Sequence, residues 1–416
     1  MKTSKKDIEI TSPVGSFEAL AAAIQAGAKS VYFGIDKLNM RARSSINFSM
    51  DDLKQIVKTC KTNKLKTYLT LNTVMYNQDL KLMQNIIDRA VTEGVDAIIA
   101  SDISVIEYAS SKGISVHIST QCNISNIEAV RFYSRFADVM VLARELSLKQ
   151  IAEITEAIEK ENIKGPAGKK IKIEIFAHGA LCMAISGKCY LSLHNLNASA
   201  NRGECLQICR RPYQVKDKDG GIELEIDNEY IMSPKDLCTI DLIDKIIKAG
   251  VKVLKIEGRG RSPEYVKIVT QCYNEAVSSY FKGTYNLENT INWKNKLKSV
   301  YNRDFWEGYY LGRKMGEWTE KYGSHATETK EYIGKVTNFF TKLKVAEIKI
   351  ETGALYTGDK IYIIGPTTGV NEAEIKEIRV NLKKVKQAVK GDYCSIPLKT
   401  LIRRSDKVYK IVKSEF

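Results

Sequence analysis

Between residues 8 and 281 the chain alternates short apolar runs with amphipathic segments, eight times over. The runs Ile8–Val14, Ser30–Ile35, Lys66–Val74, Ala97–Asp102, Ser115–Cys122, Val139–Arg144, Lys172–Ala177 and Val251–Glu257 read as strands. Ser16–Ala26, Met50–Asn63, Asp79–Glu93, Ile103–Ser111, Asn126–Phe136, Leu148–Glu161, Pro234–Ala249 and Pro263–Phe281 carry helical periodicity, with Ser16 placed to cap the first. Strands joined by helices run parallel, because a parallel pair needs a long crossover. Eight such units predict a (β/α)8 TIM-like barrel. An open doubly wound sheet is the alternative. It normally has fewer strands, and no G-x-G-x-x-G turn follows the first strand here.

From Glu331 the period changes to two. Tyr332–Phe340, Leu343–Glu351, Lys360–Ile364, Ala373–Val380, Tyr393–Ile396 and Lys407–Val412 alternate as strands, with Gly358-Asp359, Gly365-Pro366 and Gly391-Asp392 as turns. The expected layout is a barrel over 1–285, a linker or helical segment over 286–330, and a small all-β barrel over 331–416. The last resembles the β-barrel domain of translation factors. It is dense in Arg379, Lys383, Lys384, Lys386, Lys390, Lys399, Arg403 and Arg404, which suits an RNA backbone or simply a solvated face.

After the seventh strand comes a cysteine-rich insertion within 174–213, EIFAHGALCMAISGKCYLSLHNLNASANRGECLQICRRPY. It holds Cys182, Cys189, Cys205 and Cys209, spaced C-x6-C, C-x15-C and C-x3-C. Thiolates are soft ligands for zinc or iron–sulfur clusters. Structural zinc sites favour paired short knuckles, and the first pair here is too wide for one. Cys238, expected to head the helix from Pro234, is the rival fourth ligand, and His194 could serve only in place of a cysteine. Cys60, Cys122, Cys272 and Cys394 read as core, which is also the ordinary reading of any free cysteine.

In a (β/α)8 barrel the chemistry sits at the C-terminal ends of the strands. Gln121, Asn123, His178 and Glu257 fall there and are the catalytic candidates. Arg41, Arg43, Asn72, Ser119, Arg144 and Arg259, polar or cationic groups at the same rim, are the substrate-binding candidates. There is no G-x-S-x-G or H-E-x-x-H motif, and only four histidines are present to act as bases.

Net charge is +15, which favours a polyanionic partner, RNA above all, or reflects a lysine-rich solubilising surface. The start, MKTSKKDIEI, leads into no apolar signal region, and no run approaches the roughly 18 apolar residues of a membrane span. A cytoplasmic location with reduced cysteines is expected.

Glu174, Phe176, Gly179, Ala180, Leu181, Cys182, Gly187, Cys189, Leu191 and Ser192 follow the pattern E-x-F-x2-G-A-L-C-x4-G-x-C-x-L-S, and Gly203, Cys205, Cys209 and Arg210 follow G-x-C-x3-C-R. These resemble the signature of the peptidase U32 family, the collagenase-like peptidases. Ser119-x-Gln121-x-Asn123, Lys255-Ile256-Glu257-Gly258-Arg259 and the segment Tyr301–Gly312 match further family features, while Val14 stands where alanine is common. The resemblance implies a 4Fe-4S cluster on the four cysteines and oxygen-independent hydroxylation. It also implies prephenate as hydroxyl donor and an electron donor or paralogous partner protein. The substrate it points to first is the wobble uridine of tRNA, giving 5-hydroxyuridine. Ribosomal RNA cytidine and the ubiquinone ring are the alternatives within the family. Outside hydroxylation stand a collagenase-like peptidase and an RNA-binding scaffold with structural zinc.

Overall fold

The computed structural model describes residues 4–43, 47–214, 229–313 and 316–414. The first part of the chain builds strands β1 (Glu9–Pro13), β2 (Ser30–Phe33), β3 (Lys66–Leu71), β4 (Ala97–Ala100), β5 (Ser115–Ile118), β6 (Val139–Val141) and β7 (Lys172–Gly179). After the insertion come β8 (Asp236–Cys238), β9 (Val253–Ile256) and β10 (Phe305–Trp306). Strands β1 to β7 pair in sequence order and in parallel. β9 then lies between β7 and β1, with Glu174 opposite Val253 and Ile10 opposite Leu254, which closes an eight-stranded barrel.

Helices α1 (Phe17–Gln25), α2 (Asp52–Thr62), α3 (Leu80–Glu93), α4 (Ile103–Ser111), α5 (Ile127–Tyr133) and α6 (Leu148–Glu161) form the crossovers. α7 (Leu191–Leu196) lies in the insertion. α8 (Ile243–Lys248), α9 (Pro263–Lys282) and α10 (Leu287–Lys298) complete the set. Local chemistry fixes their ends. Ser16 accepts the Ala19 N–H at 3.2 Å, Ser147 and Gln150 form a reciprocal capping box, and Pro263 opens α9 where its missing N–H costs nothing.

The strand period of two divides the barrel strands into two faces. Ile8, Ile10, Val31, Phe33, Leu69, Ile98, Ile173, Ile175 and Leu254 pack outward under the helices in the main core. Tyr32, Tyr68, Ala97 and Ile99 form a separate cluster. Glu9, Thr11, Ser30, Thr70, His117, Glu174 and Lys255 are buried at positions that alternate with the outward core residues. The barrel is therefore apolar outside its strands and largely polar within.

One expected helix is shorter than its sequence suggests. From Asp236 to Cys238 the chain is a strand antiparallel to the end of β7, with Cys238 opposite His178 and Leu237 opposite Gly179. Thr239 donates to the Ala177 carbonyl through both N–H and hydroxyl, and the helix begins only at Ile243. β10 adds to β8 in parallel, and Trp318 bridges Pro234, so part of the expected linker is packed against the barrel.

The C-terminal part is antiparallel. Its strands are β11 (Glu328–Phe340), β12 (Val345–Ile350), β13 (Ala354–Tyr356), β14 (Lys360–Gly365), β15 (Gly369–Glu374), β16 (Ile378–Val380), β17 (Lys383–Val385), β18 (Gln387–Val389), β19 (Tyr393–Pro397) and β20 (Lys407–Lys413). The ladder runs β15-β14-β20-β11-β12-β19-β16-β17, with β13-β18 as a separate ribbon. Ile333, Ile348, Ile361, Ile363, Ile378, Ile396 and Val408 give it a core of its own. It docks on α1 and α9. Gln25 bonds the Thr368 carbonyl and the Val370 N–H, Lys267 donates to the Val370 carbonyl at 2.7 Å, and Lys330 pairs with Glu264 at 2.7 Å. Among the described residues no helix is long and apolar enough to cross a membrane.

Gly179, where β7 turns into the insertion, has φ +105, and a Cβ there would stand 2.5 Å from the Glu257 carbonyl oxygen. Gly283 also has positive φ, but an added Cβ meets nothing within 4 Å. Gly179→Ala is therefore expected to lower the midpoint of thermal unfolding well beyond Gly283→Ala, whose cost is the roughly 1 kcal/mol of left-handed strain alone. Calorimetry of the two variants checks this ordering.

Candidate active site at the barrel mouth

The loops after β2, β3, β5, β6, β7 and β9 and the insertion enclose a cavity of about 350 Å³. Its size suits a small acid or one pyrimidine ring. Cys182, Cys189, Cys205 and Cys209 all line it, as do Arg41, Asn72, Ser119, Gln121, Arg144, Glu257 and Arg259. Arg210, Arg261, Arg303 and Lys255 add four further cations, against Glu257 as the one carboxylate among the described lining residues.

Glu257 organises the charges. Its Oε1 lies 2.9 Å from Arg41 Nη2, and its Oε2 accepts from the Tyr32 hydroxyl at 3.1 Å. Burial works against the carboxylate, but Arg41, Arg144 and Arg259 outweigh it and pull the pKa down to about 2. Arg259 donates to Thr70 Oγ1 and Asn39 Oδ1, each at 2.9 Å. A Cβ on Gly34 would collide with that guanidinium, so the glycine is what admits it. Burial lowers the Arg259 pKa to about 10, a measure of how dry the position is. Arg144 stacks 4.0 Å above the Phe176 ring and donates to the Ala180 carbonyl. Its Nε is buried and has no hydrogen-bond partner among the described residues, leaving a donor free for a ligand. Elsewhere on the rim Asn72 reaches Ser119 Oγ at 3.5 Å, and Ser119 in turn bonds Gln121.

Arginines also hold the insertion. Arg210, beside Cys209, donates to the Leu181 carbonyl next to Cys182, and to Ser233 Oγ and the Pro234 carbonyl. Arg202 pairs with Asp79, donates to the Val74 carbonyl at 2.9 Å and covers the Tyr76 ring at 4.0 Å. Together these ties fix both ends of the cysteine loop to the barrel rim. The donor set is all-sulfur and shared by one cavity. Burial pushes the Cys209 thiol up, opposed by the neighbouring Arg210 guanidinium. Among the described residues no three His, Cys, Asp or Glu side chains converge on a single-ion site as they stand. Four thiols with the half-buried Arg210 guanidinium beside them suit an anionic thiolate-bound group.

The sequence model of peptidase family U32 matches residues 15–320. The chain belongs to peptidase family U32. A protein called "Collagenase" from Porphyromonas gingivalis is 57% identical over 98% of this chain and 99% of its own length. A "tRNA hydroxylation protein P1" from Bacillus subtilis is 31% identical over 87% of this chain and 84% of its own. A 23S rRNA 5-hydroxycytidine synthase from Escherichia coli is 35% identical over 67% of this chain and 40% of its own. This U32 chain is thus similar both to RNA-hydroxylating proteins and to one called a collagenase.

Four of the residues singled out in this U32 chain lie away from the cavity lining. Arg43 is 64% exposed and lies outside the cavity lining, tied to Glu204 at 3.3 Å and, through its N–H, to the Gly203 carbonyl. Asn123 lies behind the lining, in a left-handed turn, and donates to the Ser186 carbonyl at 3.2 Å, holding the insertion rather than facing a ligand. His178 is buried behind the rim among Tyr265, Tyr273 and Phe305, because its place on β7 faces α9. Cys238 ends a strand rather than heading a helix. It is buried against Tyr273, and burial raises its pKa to about 11. Sequence reasoning passed over Lys255 and Glu174 as site residues. Their signal was polarity at inward positions between apolar neighbours: Ile173 and Ile175 flank one, Leu254 and Ile256 the other.

Burial pushes the His178 and His117 imidazoles down to about 3. Both are neutral when folded and charge on unfolding below about 6.5, so the stability they contribute is present above that value and lost as pH falls towards 3. Replacing His178 by Phe is expected to flatten the fall of stability between pH 6.5 and 3 relative to the parent. Urea unfolding at stepped pH measures the slope.

Proposed function

We propose that this protein hydroxylates RNA without molecular oxygen, with the wobble uridine of tRNA as the base converted to 5-hydroxyuridine. The observation that carries the reading is the strongly cationic cavity roofed by four cysteines. In this proposal Cys182, Cys189, Cys205 and Cys209 hold a 4Fe-4S cluster, which when bound supplies electron transfer or Lewis-acid activation beside the substrate. Prephenate, a dicarboxylate, is the proposed hydroxyl donor. Arg41, Arg144 and Arg259 would take its carboxylates, the free Arg144 Nε among the donors, while Asn72, Ser119 and Gln121 would face the pyrimidine edge. The exposed cations Lys383, Lys384, Lys386, Lys390, Arg403 and Arg404 of the C-terminal sheet suit the RNA backbone. The relatives that act on tRNA and rRNA support an RNA substrate.

The relative called a collagenase favours a second reading, proteolysis. Thr319, His325 and Asp304 do form a chain of contacts, Thr319 Oγ1 to His325 Nε2 at 3.1 Å and His325 Nδ1 to Asp304 at 3.4 Å. Thr319 is only 1% exposed and lies outside the cavity lining, so a peptide bond has no route to its hydroxyl. The contacts suit a structural role, holding Asp304, Thr319 and His325 to one another and, through the Thr319 N–H, to the Ser233 carbonyl.

Nucleoside mass spectrometry of tRNA and rRNA from a strain lacking the protein tests the proposal. Loss of 5-hydroxyuridine derivatives from tRNA is expected. Loss of a hydroxycytidine from rRNA instead would move the assignment to the ribosome. An unchanged profile, with gelatin cleavage by metal-free protein, would sink it. In complemented strains, Arg144→Ala and Arg259→Ala should each cut the modification by roughly tenfold or more while leaving iron and sulfide content at parental level. Serine in place of any of the four rim cysteines should lower that content itself, whereas Cys238→Ser should not.

A further inference from the structure

The cavity floor holds a pair that the hydroxylation reading leaves unused. Lys255 Nζ lies 2.7 Å from Glu174 Oε1, with the side chains 6% and 0% exposed. Lys255 lines the cavity, and Glu174 is fully buried on the neighbouring strand β7. The ammonium sits 4.6 Å from the Tyr32 ring centre, which fixes its direction. Glu174 Oε2 is buried and has no hydrogen-bond partner among the described residues. A buried ion pair is seldom worth more to stability than an apolar pair of similar volume. Here it places an amine at the base of a cavity whose walls carry Arg41, Arg144 and Arg259. An amine nucleophile with guanidiniums around it suits one class of ligand, a molecule with both an electrophilic carbonyl and a carboxylate.

We propose that Lys255 forms an imine with a small 2-oxo acid bound in this cavity. The Lys255 ammonium gives a proton to Glu174. The freed Nζ attacks the carbonyl carbon, and the surplus proton that the attack leaves on Nζ passes to the carbonyl oxygen, giving a neutral carbinolamine. Its hydroxyl leaves as water with a proton returned by Glu174, and the C=N bond forms. The net change is ammonium plus ketone to protonated imine plus water, with Glu174 a carboxylate again and no electron transferred to or from another group. Glu174 suits the exchange because burial holds its carboxyl above the ordinary range even beside Lys255. The step does not depend on RNA being the substrate.

The test is reductive trapping on the full-length protein with pyruvate and cyanoborohydride, read by intact mass and peptide mapping. One pyruvate-derived secondary amine on Lys255 is expected, formed well ahead of any surface lysine. Lys255→Arg, which keeps a cation facing Glu174, should lose that label, and Glu174→Gln should slow its formation by roughly tenfold or more. Labelling confined to surface lysines in the unmodified protein overturns the proposal, and that result needs no variant to fold. Equal total labelling of the parent and of a folded Lys255→Arg protein overturns it too.

Discussion

Closure of the barrel is the constraint from which the site follows. β9 must pair with both β7 and β1, and once it does, alternate side chains of all eight strands have only the shaft to enter. In this chain the shaft receives Glu9, Tyr68, His117, Glu174 and Lys255 rather than aliphatic layers. Several of these groups partner one another: Tyr68 bonds Glu9, Lys66 reaches Glu9 at 3.1 Å, and Lys255 reaches one oxygen of Glu174, while the His117 ring packs 4.4 Å from that of Tyr68. Helix packing on the outside supplies the apolar burial that such an interior does not.

The rim reverses the usual balance between charges. Arg41, Arg144 and Arg259 crowd the single carboxylate of Glu257, with Arg41 paired to it and Arg259 held by Thr70 and Asn39, while Arg303 turns to Asp236 behind the lining. Arginine suits this crowding because its fork bonds neutral oxygens as readily as carboxylates and stays charged when dry. The same property explains Arg210 and Arg202, which fasten a loop by carbonyl oxygens, where a lysine would offer one compact charge instead of a planar fork.

Much of this was legible in advance. The eight strands follow from apolar runs whose period contrasts with the helices, and the insertion announces itself by its cysteines and glycines. What escaped was set by contacts distant in sequence. Asp236–Cys238 reads as the start of a helix until β7 offers its edge at His178 and Gly179. Ala373–Val380 reads as one strand, but the chain turns near Ile375, whose N–H bonds the Asp359 carbonyl, and β15 and β16 part. His178 sits at the right height on its strand and on the wrong side of it, because β7 shifts register between Phe176 and His178 where it meets β9. Arg43, two residues from Arg41, faces the insertion instead of the cavity because the chain turns between them, the Ala42 N–H bonding the Asn39 carbonyl.

Helix α9 begins just beyond Arg259 and Arg261, and about one turn into it Lys267 grips the Val370 carbonyl of the C-terminal sheet. One rigid rod thus joins the cationic mouth to the basic sheet, with Gln25 on α1 as a second strut. A polymer seated on that sheet would meet the mouth at a fixed offset. Selection among long substrates would then depend on the span between two contacts as much as on the chemistry at either one.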